Sequence, residues 1–417
     1  MGGKINLIMH KLKAGIIIFT VILSSCGGAK TAIIWTDRGE FALYGEYFNT
    51  VQDQYKVSVR YIESPKAELA KRKKPDLVIA SWLKNSSTSS TFKSLNNLFG
   101  AKKLSRNIFY PRILAVGRID RNQYLLPVSF NIPALIFSRD REMNLSNQFT
   151  VNYDEVKELS RPFNAQTRGI ITRMGFSPLW NDEFIYMSAV LSGASFKEAN
   201  PLTWDAASLE KSMSFINKWT DEINSSIQIG EDFHYKYFFE PTDRLIQSGR
   251  ILFSYMESDD LFLLKDDRKN HLDFRWIMEQ NKTPVMDDIV YMGIPKRGRS
   301  RAATRAFIQW FFTIETQRSL LEFSKSNRIN ENIFGISGGF SALSVVTEQI
   351  YPLFYPELLG RMPPSEHFYL PNILPVNWPV MKERVVLPYL YERARRENAA
   401  EIYPLERRLS DWMRQNR

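Results

Sequence analysis

The sequence is nearly without cysteine and has little histidine: one cysteine, Cys26, and four histidines among 417 residues. A single cysteine excludes an internal disulfide. The sequence has neither the H-E-x-x-H motif nor the paired cysteines of a zinc site. It also has no glycine-rich phosphate loop followed by lysine and serine or threonine, so any ATP hydrolysis must belong to a partner. We therefore expect no metal and no cofactor.

Long apolar runs are also missing, apart from one near the start. Residues 14–23 follow three lysines and end at Leu23-Ser24-Ser25-Cys26. A membrane-spanning helix needs roughly 20 apolar residues, so this run is too short to be one. Its basic flank and small residues are typical of an export signal. We expect a signal peptide over residues 1–25 and a short tether over residues 26–30.

The tetrapeptide LSSC resembles the lipobox of bacterial lipoproteins, whose cysteine is acylated. The resemblance implies lipid chains on Cys26 that hold the mature protein to a membrane on its extracytoplasmic side. An ordinary secreted protein with a cysteine near its cleavage site is the alternative.

The rest of the chain has the composition of a globular protein, with 44% hydrophobic and 13% aromatic residues. A single hydrophobic core rarely organises more than roughly 250 to 300 residues, so two lobes are expected. The formal charge of +10 is mild and dispersed, and we expect no binding to nucleic acid.

Strand and helix patterns alternate along the chain, which predicts α/β construction with mainly parallel sheets. TAIIWT at 31–36 and DLVIA at 76–80 are predicted strands, and a helix is predicted from about Glu40. LLPVSFNIPALIF at 125–137 is predicted to be extended because its two prolines exclude a helix. One long amphipathic helix is predicted from Ala303 to Leu321.

Residues suited to sugar binding follow several predicted strands. Ligands of open α/β sheets bind beyond the carboxyl ends of the strands. Carboxylates, amides and arginine pair with sugar hydroxyls, and aromatic rings stack on sugar C–H faces. Each residue taken alone also has a structural explanation, such as a helix cap or a core side chain. The residues at these positions are Trp35, Asp37, Arg38 and Glu40, then Trp82, then Asn131, and then Tyr255, Glu257 and Asp259.

From about residue 31 to 391 the chain resembles the extracellular solute-binding proteins of ATP-binding-cassette (ABC) importers, specifically the carbohydrate-binding group. The resemblance lies in the order and spacing of AIIWTDRGEFALYGEYFNTVQDQYKVSV, KPDLVIASW, LLPVSFNIPALIFSRD, IYMSAVLSGASF with LTWD, FFEPTDRLIQSGRILFSYMESD, and DIVYMGIPKRGRSRAATRAFIQWFFTIETQRSLLE. It implies two α/β lobes joined by crossover hinge strands, with residues 31–133 and 290–338 in the N-lobe and 134–289 and 339–395 in the C-lobe, followed by a tail over 396–417.

The same resemblance implies a function. A monomer would capture a carbohydrate in the cleft between the lobes and deliver it to an ABC permease and its ATPase. The N-lobe rim would be Trp35, Asp37, Arg38, Glu40 and Trp82, the first crossover Asn131, and the C-lobe rim Trp180, Asn181, Glu183 and Tyr255. Trp378 lies in an aromatic-rich segment that either completes this pocket or packs behind it.

Other functions stay open. The same fold could serve a sensor or adhesin, or take a sugar phosphate, a polyamine or a small peptide. Gly335-Ile336-Ser337-Gly338-Gly339 fits the G-x-S-x-G pattern of serine hydrolases, with Glu357 and His367 following in the hydrolase order. The lead-in to Ser337 is polar rather than an apolar strand, so a glycine-rich turn is the preferred interpretation. We expect no catalytic residue.

Overall fold

A computed structural model describes residues 30–69, 75–101, 103–200, 202–298, 301–396 and 402–416. The predicted signal peptide, most of the tether and the predicted lipid site at Cys26 lie outside these residues.

The described residues form 18 strands, many of them two residues long. The strands are β1 Lys30–Thr36, β2 Tyr55–Tyr61, β3 Leu77–Ala80, β4 Arg118–Ile119, β5 Asn122–Gln123, β6 Leu126–Phe130, β7 Pro133–Ser138, β8 Thr150–Val151, β9 Ala165–Thr167, β10 Ile170–Arg173, β11 Lys197–Glu198, β12 Leu202–Thr203, β13 Ser254–Glu257, β14 Leu272–Ile277, β15 Thr283–Pro284, β16 Val290–Gly293, β17 Phe340–Ser341 and β18 Phe368–Tyr369.

Helices and short helical turns alternate with the strands along the chain. The α-helices are Phe41–Val51, Pro65–Glu68, Thr88–Thr91, Pro111–Val116, Tyr153–Phe163, Asp182–Leu191, Ala206–Asn224, Ile227–Tyr237, Thr242–Gln247, Ser258–Leu263, Asp266–Lys269, Arg301–Phe311, Ile314–Ser326, Trp378–Met381, Leu387–Ala394 and Leu405–Gln415. The 3₁₀ turns are Asn96–Leu98, Arg106–Ile108, Pro178–Trp180, Ile329–Glu331, Tyr351–Leu353, Pro356–Leu358 and Ser365–His367, and Val346–Ile350 and Lys382–Val386 are π-helical.

Two larger sheets organise the chain. The first has six strands in the order β17-β6-β16-β3-β1-β2, and the second has four in the order β13-β7-β14-β8. The chain passes from the first sheet to the second between β6 and β7, and it returns between β14 and β16. The predicted two-lobe α/β architecture is confirmed.

Strand pairing within these sheets is mixed, with both parallel and antiparallel neighbours. In the first sheet β1 pairs in parallel with β2 and β3, whereas β16 is antiparallel to β3 and β6. In the second sheet β7 is antiparallel to both its neighbours, and only β14 with β8 is parallel. β16, which returns from the second sheet, therefore runs opposite to β1, β2 and β3. β17 pairs with β6 in the first sheet, just beyond the predicted N-lobe end at 338. The division into lobes stays a prediction.

Aromatic packing joins helices to the first sheet. The ring of Phe41 lies 5.5 Å from that of Phe311, and the ring of Phe48 lies 5.3 Å from that of Phe307. Gly45 permits the close approach of its helix to β2, because a Cβ there would lie 2.7 Å from the Val59 side chain.

The predicted helix from Ala303 to Leu321 is two helices, Arg301–Phe311 and Ile314–Ser326. Thr313 begins the second one, because its hydroxyl accepts a hydrogen bond from the backbone N–H of Thr316 at 3.1 Å. The apolar pattern continues across the break, which is why periodicity alone did not show it. Among the described residues no helix is long and apolar enough to span a bilayer.

Candidate ligand-binding cleft

Asn131 lies at the crossover from β6 to β7 and joins three segments of the chain. Its side-chain N–H donates to the carbonyl of Gly338 at 2.8 Å, and its Oδ1 accepts from the Ser258 hydroxyl at 2.6 Å. Its backbone carbonyl accepts from Met286 N–H at 2.9 Å. Both the nitrogen and the oxygen of the Asn131 side-chain amide, which was predicted to bind ligand, therefore make hydrogen bonds within the protein.

The N-lobe rim begins where β1 ends. Arg38 donates through Nη2 to the Ser81 hydroxyl at 2.5 Å, and that hydroxyl donates to the backbone carbonyl of Asp288 at 2.9 Å. These contacts connect the first sheet to the segment between β14 and β16, which we call the returning crossover. Arg38 Nε lies 3.6 Å from Asp37 Oδ1, too far for a hydrogen bond. Burial raises the pKa of Asp37 to about 6, although Arg38 opposes the shift.

Glu40 and Ser337 are the most enclosed polar groups of this rim. Glu40 is 4% exposed and Ser337 is 1% exposed. Glu40 Oε1 and Ser337 Oγ each lack a hydrogen-bond partner. Burial raises the pKa of Glu40, while backbone contacts, Arg38 and the nearby Ser337 hydroxyl lower it in part. The two side chains therefore lie close enough to influence each other, near the end of β1.

The C-lobe side contains a buried ion triad, which we define as Glu183, Asp287 and Lys382. Lys382 Nζ lies 2.6 Å from Glu183 and 3.2 Å from Asp287. Asp287 also accepts from Trp378 Nε1 at 2.7 Å and from the Tyr186 hydroxyl at 3.2 Å. The triad thus connects the helix Asp182–Leu191, the returning crossover and the C-terminal helices.

The protonation of the triad reflects its burial. Burial raises the pKa of Glu183 to about 7, Asp287 adds to the rise, and Lys382 opposes it. Burial alone would lower the pKa of Lys382, but the two carboxylates hold it above its usual value. The lysine therefore remains charged, and Glu183 takes up a proton more readily than an exposed glutamate does.

Three more acidic residues complete a group that we call the carboxylate cluster. Burial raises the pKa of Glu257 to about 9, and Glu183, Asp288 and Asp259 add to it. The pKa of Asp259 rises to about 6 and that of Asp288 also rises, in both cases chiefly through burial. Glu183, Glu257, Asp259 and Asp288 therefore influence one another's protonation, and Arg38 acts on both Asp37 and Asp288. The cluster consists of Asp37, Glu40, Glu183, Glu257, Asp259, Asp287 and Asp288.

The four predicted tryptophans occupy different positions. Trp82 packs on a core cluster of the second lobe and has a left-handed backbone, φ 60°, so it links the lobes. Trp35 is buried in the core of the first lobe, and Trp378 is fully buried. Trp180 stacks on Phe233 at 5.7 Å, and its Nε1 lacks a partner. The role of Trp82 in a cleft stays a prediction.

Asn181 and Tyr255 have local partners. Asn181 Oδ1 accepts from the Phe184 N–H at 2.9 Å and caps the helix Asp182–Leu191. Tyr255 is 7% exposed, and its hydroxyl lies 3.9 Å from the sulfur of Met286. Asn181 therefore acts as a helix cap, and the Tyr255 hydroxyl contacts Met286.

The lobes also touch at a second place, away from Asn131. Glu198 of β11 accepts hydrogen bonds from the N–H of Ser86 at 2.6 Å and from its hydroxyl at 2.8 Å. Ser86 belongs to the loop after β3 of the first sheet, so the contact bridges the lobes. We call this contact the interlobe latch.

The segment that matches G-x-S-x-G is a tight turn. Gly335, Ser337 and Gly338 all have positive φ. Of the other two hydrolase positions, Glu357 pairs with Lys269 at 3.2 Å. The hydroxyl of Ser337 makes no hydrogen bond to His367 among the described residues, so the arrangement required for nucleophilic attack is not assembled there.

Sequence reasoning missed Ser81, Tyr186, Asp287, Asp288 and Lys382. The adjacent acids at 287 and 288, directly before β16, could have been found from their place at a strand end. Lys382 carries no local signal, because its partners lie 199 and 95 positions away in the chain.

No family model matches the chain, and no curated protein matches it. Solved structures are similar over nearly its whole length. The cyclic alpha-maltosyl-1,6-maltose binding protein from Arthrobacter globiformis superposes with a TM-score of 0.61 at 14% identity, covering 92% of this chain and 97% of that one. An ABC substrate-binding protein from Listeria monocytogenes in complex with cycloalternan gives 0.61 at 13%, with coverages of 92% and 97%. CpMnBP1 with mannotriose bound gives 0.56 at 12%, with coverages of 91% and 98%. The chain therefore has the fold of these sugar-binding proteins, as its sequence predicted.

Proposed function

We propose that this protein, which has the fold of ABC substrate-binding proteins, captures a carbohydrate between its two lobes. One observation carries the proposal: each of the three similar structures aligns with this chain over nearly the full length of both chains. Each of them is either named for a carbohydrate ligand or has a carbohydrate bound.

The chemistry between the lobes supports the same proposal. Arg38 supplies donors beyond the one it gives to Ser81, and the acidic side chains supply acceptors, as neighbouring sugar hydroxyls require. Trp82 follows Ser81 directly in the chain and is partly exposed, so it offers an aromatic surface. A sugar that lacks one paired hydroxyl would leave a buried group unsatisfied and bind more weakly by about 1 to 3 kcal/mol.

We further propose that the lobes close on the ligand about the Asn131 hinge, and that the interlobe latch between Ser86 and Glu198 holds the closed form. A lipid anchor on Cys26 and delivery to an ABC permease and its ATPase complete the proposal, on the basis of the sequence motif and the shared fold. In this role the protein binds and releases its ligand without changing it.

Calorimetric titration of the mature protein with mono- and oligosaccharides tests the ligand assignment. We expect one sugar to bind with a stoichiometry of one, and Trp82→Ala to weaken it at least tenfold. Tyr235→Ala serves as the control, because Tyr235 is 92% exposed on the helix Ile227–Tyr237. Equal affinities for wild type and Trp82→Ala would contradict the cleft assignment.

Loss of sugar uptake on gene deletion tests the transport role. Normal uptake in the deletion strain, combined with retained sugar binding by the purified protein, would instead favour a sensor or adhesin.

A further inference from the structure

A cavity of about 210 Å³ lies in the first lobe, apart from the candidate cleft. Asp76 lines this cavity and directly precedes β3, whereas the cleft residue Ser81 directly follows the other end of the same strand. The cavity and the cleft are therefore separated by the length of a strand. The cavity is a different site, and what it binds does not depend on the proposed sugar function.

The cavity is built where several segments of the chain meet, and main-chain hydrogen bonds fix two of them to each other. The N–H of Lys93 donates to the carbonyl of Ile294 at 2.8 Å, and the N–H of Lys296 donates to the carbonyl of Thr91 at 3.0 Å. The ammonium group of Lys93 donates to the carbonyl of Gly298 at 3.2 Å. The loop that follows β16 therefore positions the Lys93 side chain at the cavity wall.

Positive charge exceeds negative charge at this cavity. Lys93 and Arg305 both line it, and Asp76 is the one acid among its described lining residues. Oδ2 of Asp76 accepts a hydrogen bond from the N–H of Ile33 at 3.0 Å, and the backbone N–H of Asp76 donates to the carbonyl of Ile33 at 2.8 Å. The acid is thus engaged in joining the start of β3 to β1.

Neutral hydrogen-bond donors line the cavity as well. The Ser94 hydroxyl accepts a hydrogen bond from the N–H of Asn96 at 3.4 Å, which leaves its own hydrogen for another acceptor. Asn97 adds a side-chain amide with two donors. Ser94, Asn97 and Arg305 are exposed, so a ligand can reach them from solvent. Donors therefore outnumber acceptors at this cavity, which favours an anionic ligand.

We propose that this cavity binds a phosphate group, with Arg305 and Lys93 as the charged donors and Ser94 and Asn97 as the neutral ones. Arginine binds two phosphate oxygens through parallel N–H bonds, and lysine binds phosphate as a point charge. A phosphate monoester carries nearly two negative charges at neutral pH. It therefore gains more from two cations than a carboxylate does.

The size of the cavity limits the ligand. Sites for drug-sized ligands have volumes of roughly 300 to 1,000 Å³, so this smaller cavity suits one phosphate group with a small substituent. Two sources supply such a group: a small soluble phosphate ester, or the head group of a membrane phospholipid. The same donors recognise both.

Calorimetry and vesicle binding test the proposal on the mature protein prepared without its lipid anchor. Inorganic phosphate is titrated at neutral pH and low salt, with sodium acetate as the carboxylate comparison. Phosphatidylcholine vesicles with and without phosphatidic acid form the second arm, and co-sedimentation measures the bound protein. Saturable binding of inorganic phosphate indicates a soluble ester as the source. Binding only to the vesicles that contain phosphatidic acid, without binding of inorganic phosphate, indicates a lipid head group.

Variants assign the binding to the cavity. Arg305→Ala and Lys93→Gln should each weaken it about tenfold, because each removes charge-assisted hydrogen bonds. Arg297→Ala is the matched control, because Arg297 is exposed in the same basic stretch but does not line the cavity. This control should change the affinity by less than about twofold, as expected for a screened surface charge. Arg305→Ala should bind sugar as wild type does, so the two sites are tested separately.

Four results would overturn the proposal. The first two are no binding in either arm, and acetate binding as tight as phosphate binding. The third is unchanged affinity in both Arg305→Ala and Lys93→Gln. The fourth is an equal loss in Arg297→Ala and Arg305→Ala, which would indicate a diffuse basic surface instead of a defined site. Circular dichroism establishes that each variant is folded.

Discussion

Replacing Lys382 by methionine should destabilise the protein strongly. Lys382 is 8% exposed and contacts Glu183 at 2.6 Å and Asp287 at 3.2 Å. Methionine keeps much of the buried volume but removes the charge, which leaves two buried carboxyl groups without their cation. Breaking a buried ion pair in this way costs about 3 to 5 kcal/mol.

The effect should depend on pH. Because burial already raises the pKa of Glu183 to about 7, this carboxyl can take up a proton when the lysine is removed. Protonation lowers the energy of the variant at acidic pH, so the destabilisation should be smaller at pH 5 than at pH 8. A second change, Glu183→Gln in the Lys382→Met background, should recover part of the lost stability.

Urea unfolding followed by tryptophan fluorescence measures the difference. Arg318→Met is the control, because Arg318 pairs at 3.0 Å with Glu322 and the two side chains are 55% and 54% exposed. Such a surface pair contributes about 0 to 1 kcal/mol. Similar unfolding midpoints for Lys382→Met and Arg318→Met, or no difference between pH 5 and pH 8, would refute the reasoning.

Three further predictions concern stability, closure and anchoring. Burial raises the pKa of Glu257 from 4.5 to about 9, so the folded protein keeps a proton that the unfolded chain loses, and stability falls as pH rises through this window. Glu257→Gln should therefore unfold at a higher temperature than wild type at pH 8 but not at pH 4.5. The control Glu240→Gln should match wild type at both pH values. A lower unfolding temperature of Glu257→Gln than of wild type at pH 8 would contradict this. Glu198→Ala removes both hydrogen bonds of the interlobe latch. The sugar dissociation rate, measured by stopped-flow fluorescence, should rise about five- to tenfold, which corresponds to about 1 to 1.4 kcal/mol. An unchanged rate argues against the latch. Cys26→Ser should move the protein from the membrane to the soluble fraction of its host, and retention at the membrane would exclude the lipid anchor.

Local elements of the fold could be predicted because their signals are local. TAIIWT corresponds to β1, DLVIA to β3, and the two-proline segment to β6 and β7. Prolines, β-branched runs and apolar periodicity act over a few residues, so they can be read from one chain. The direction of β16 and β17 depends on where the crossover enters the sheet, and this information is not local.

The candidate site was predictable only where it follows a strand. Asp37, Arg38 and Glu40 were identified from the end of β1, and the structure places them beside Ser81 and the returning crossover. The triad formed around Lys382 depends on tertiary packing. Asn131 and Asn181 were identified by residue type, but their amide groups serve the hinge and a helix cap. Residue type therefore suggested the chemistry, while packing decided which groups remain free.

The most direct test of the central claim combines sugar titration with small-angle X-ray scattering on the mature, anchor-free protein. The account predicts saturable binding of one carbohydrate per molecule together with a reduced radius of gyration, as two lobes close about the Asn131 hinge. A protein that binds no carbohydrate at millimolar concentration, or binds one with Trp82 and Arg38 both dispensable, would contradict capture of a sugar between the lobes.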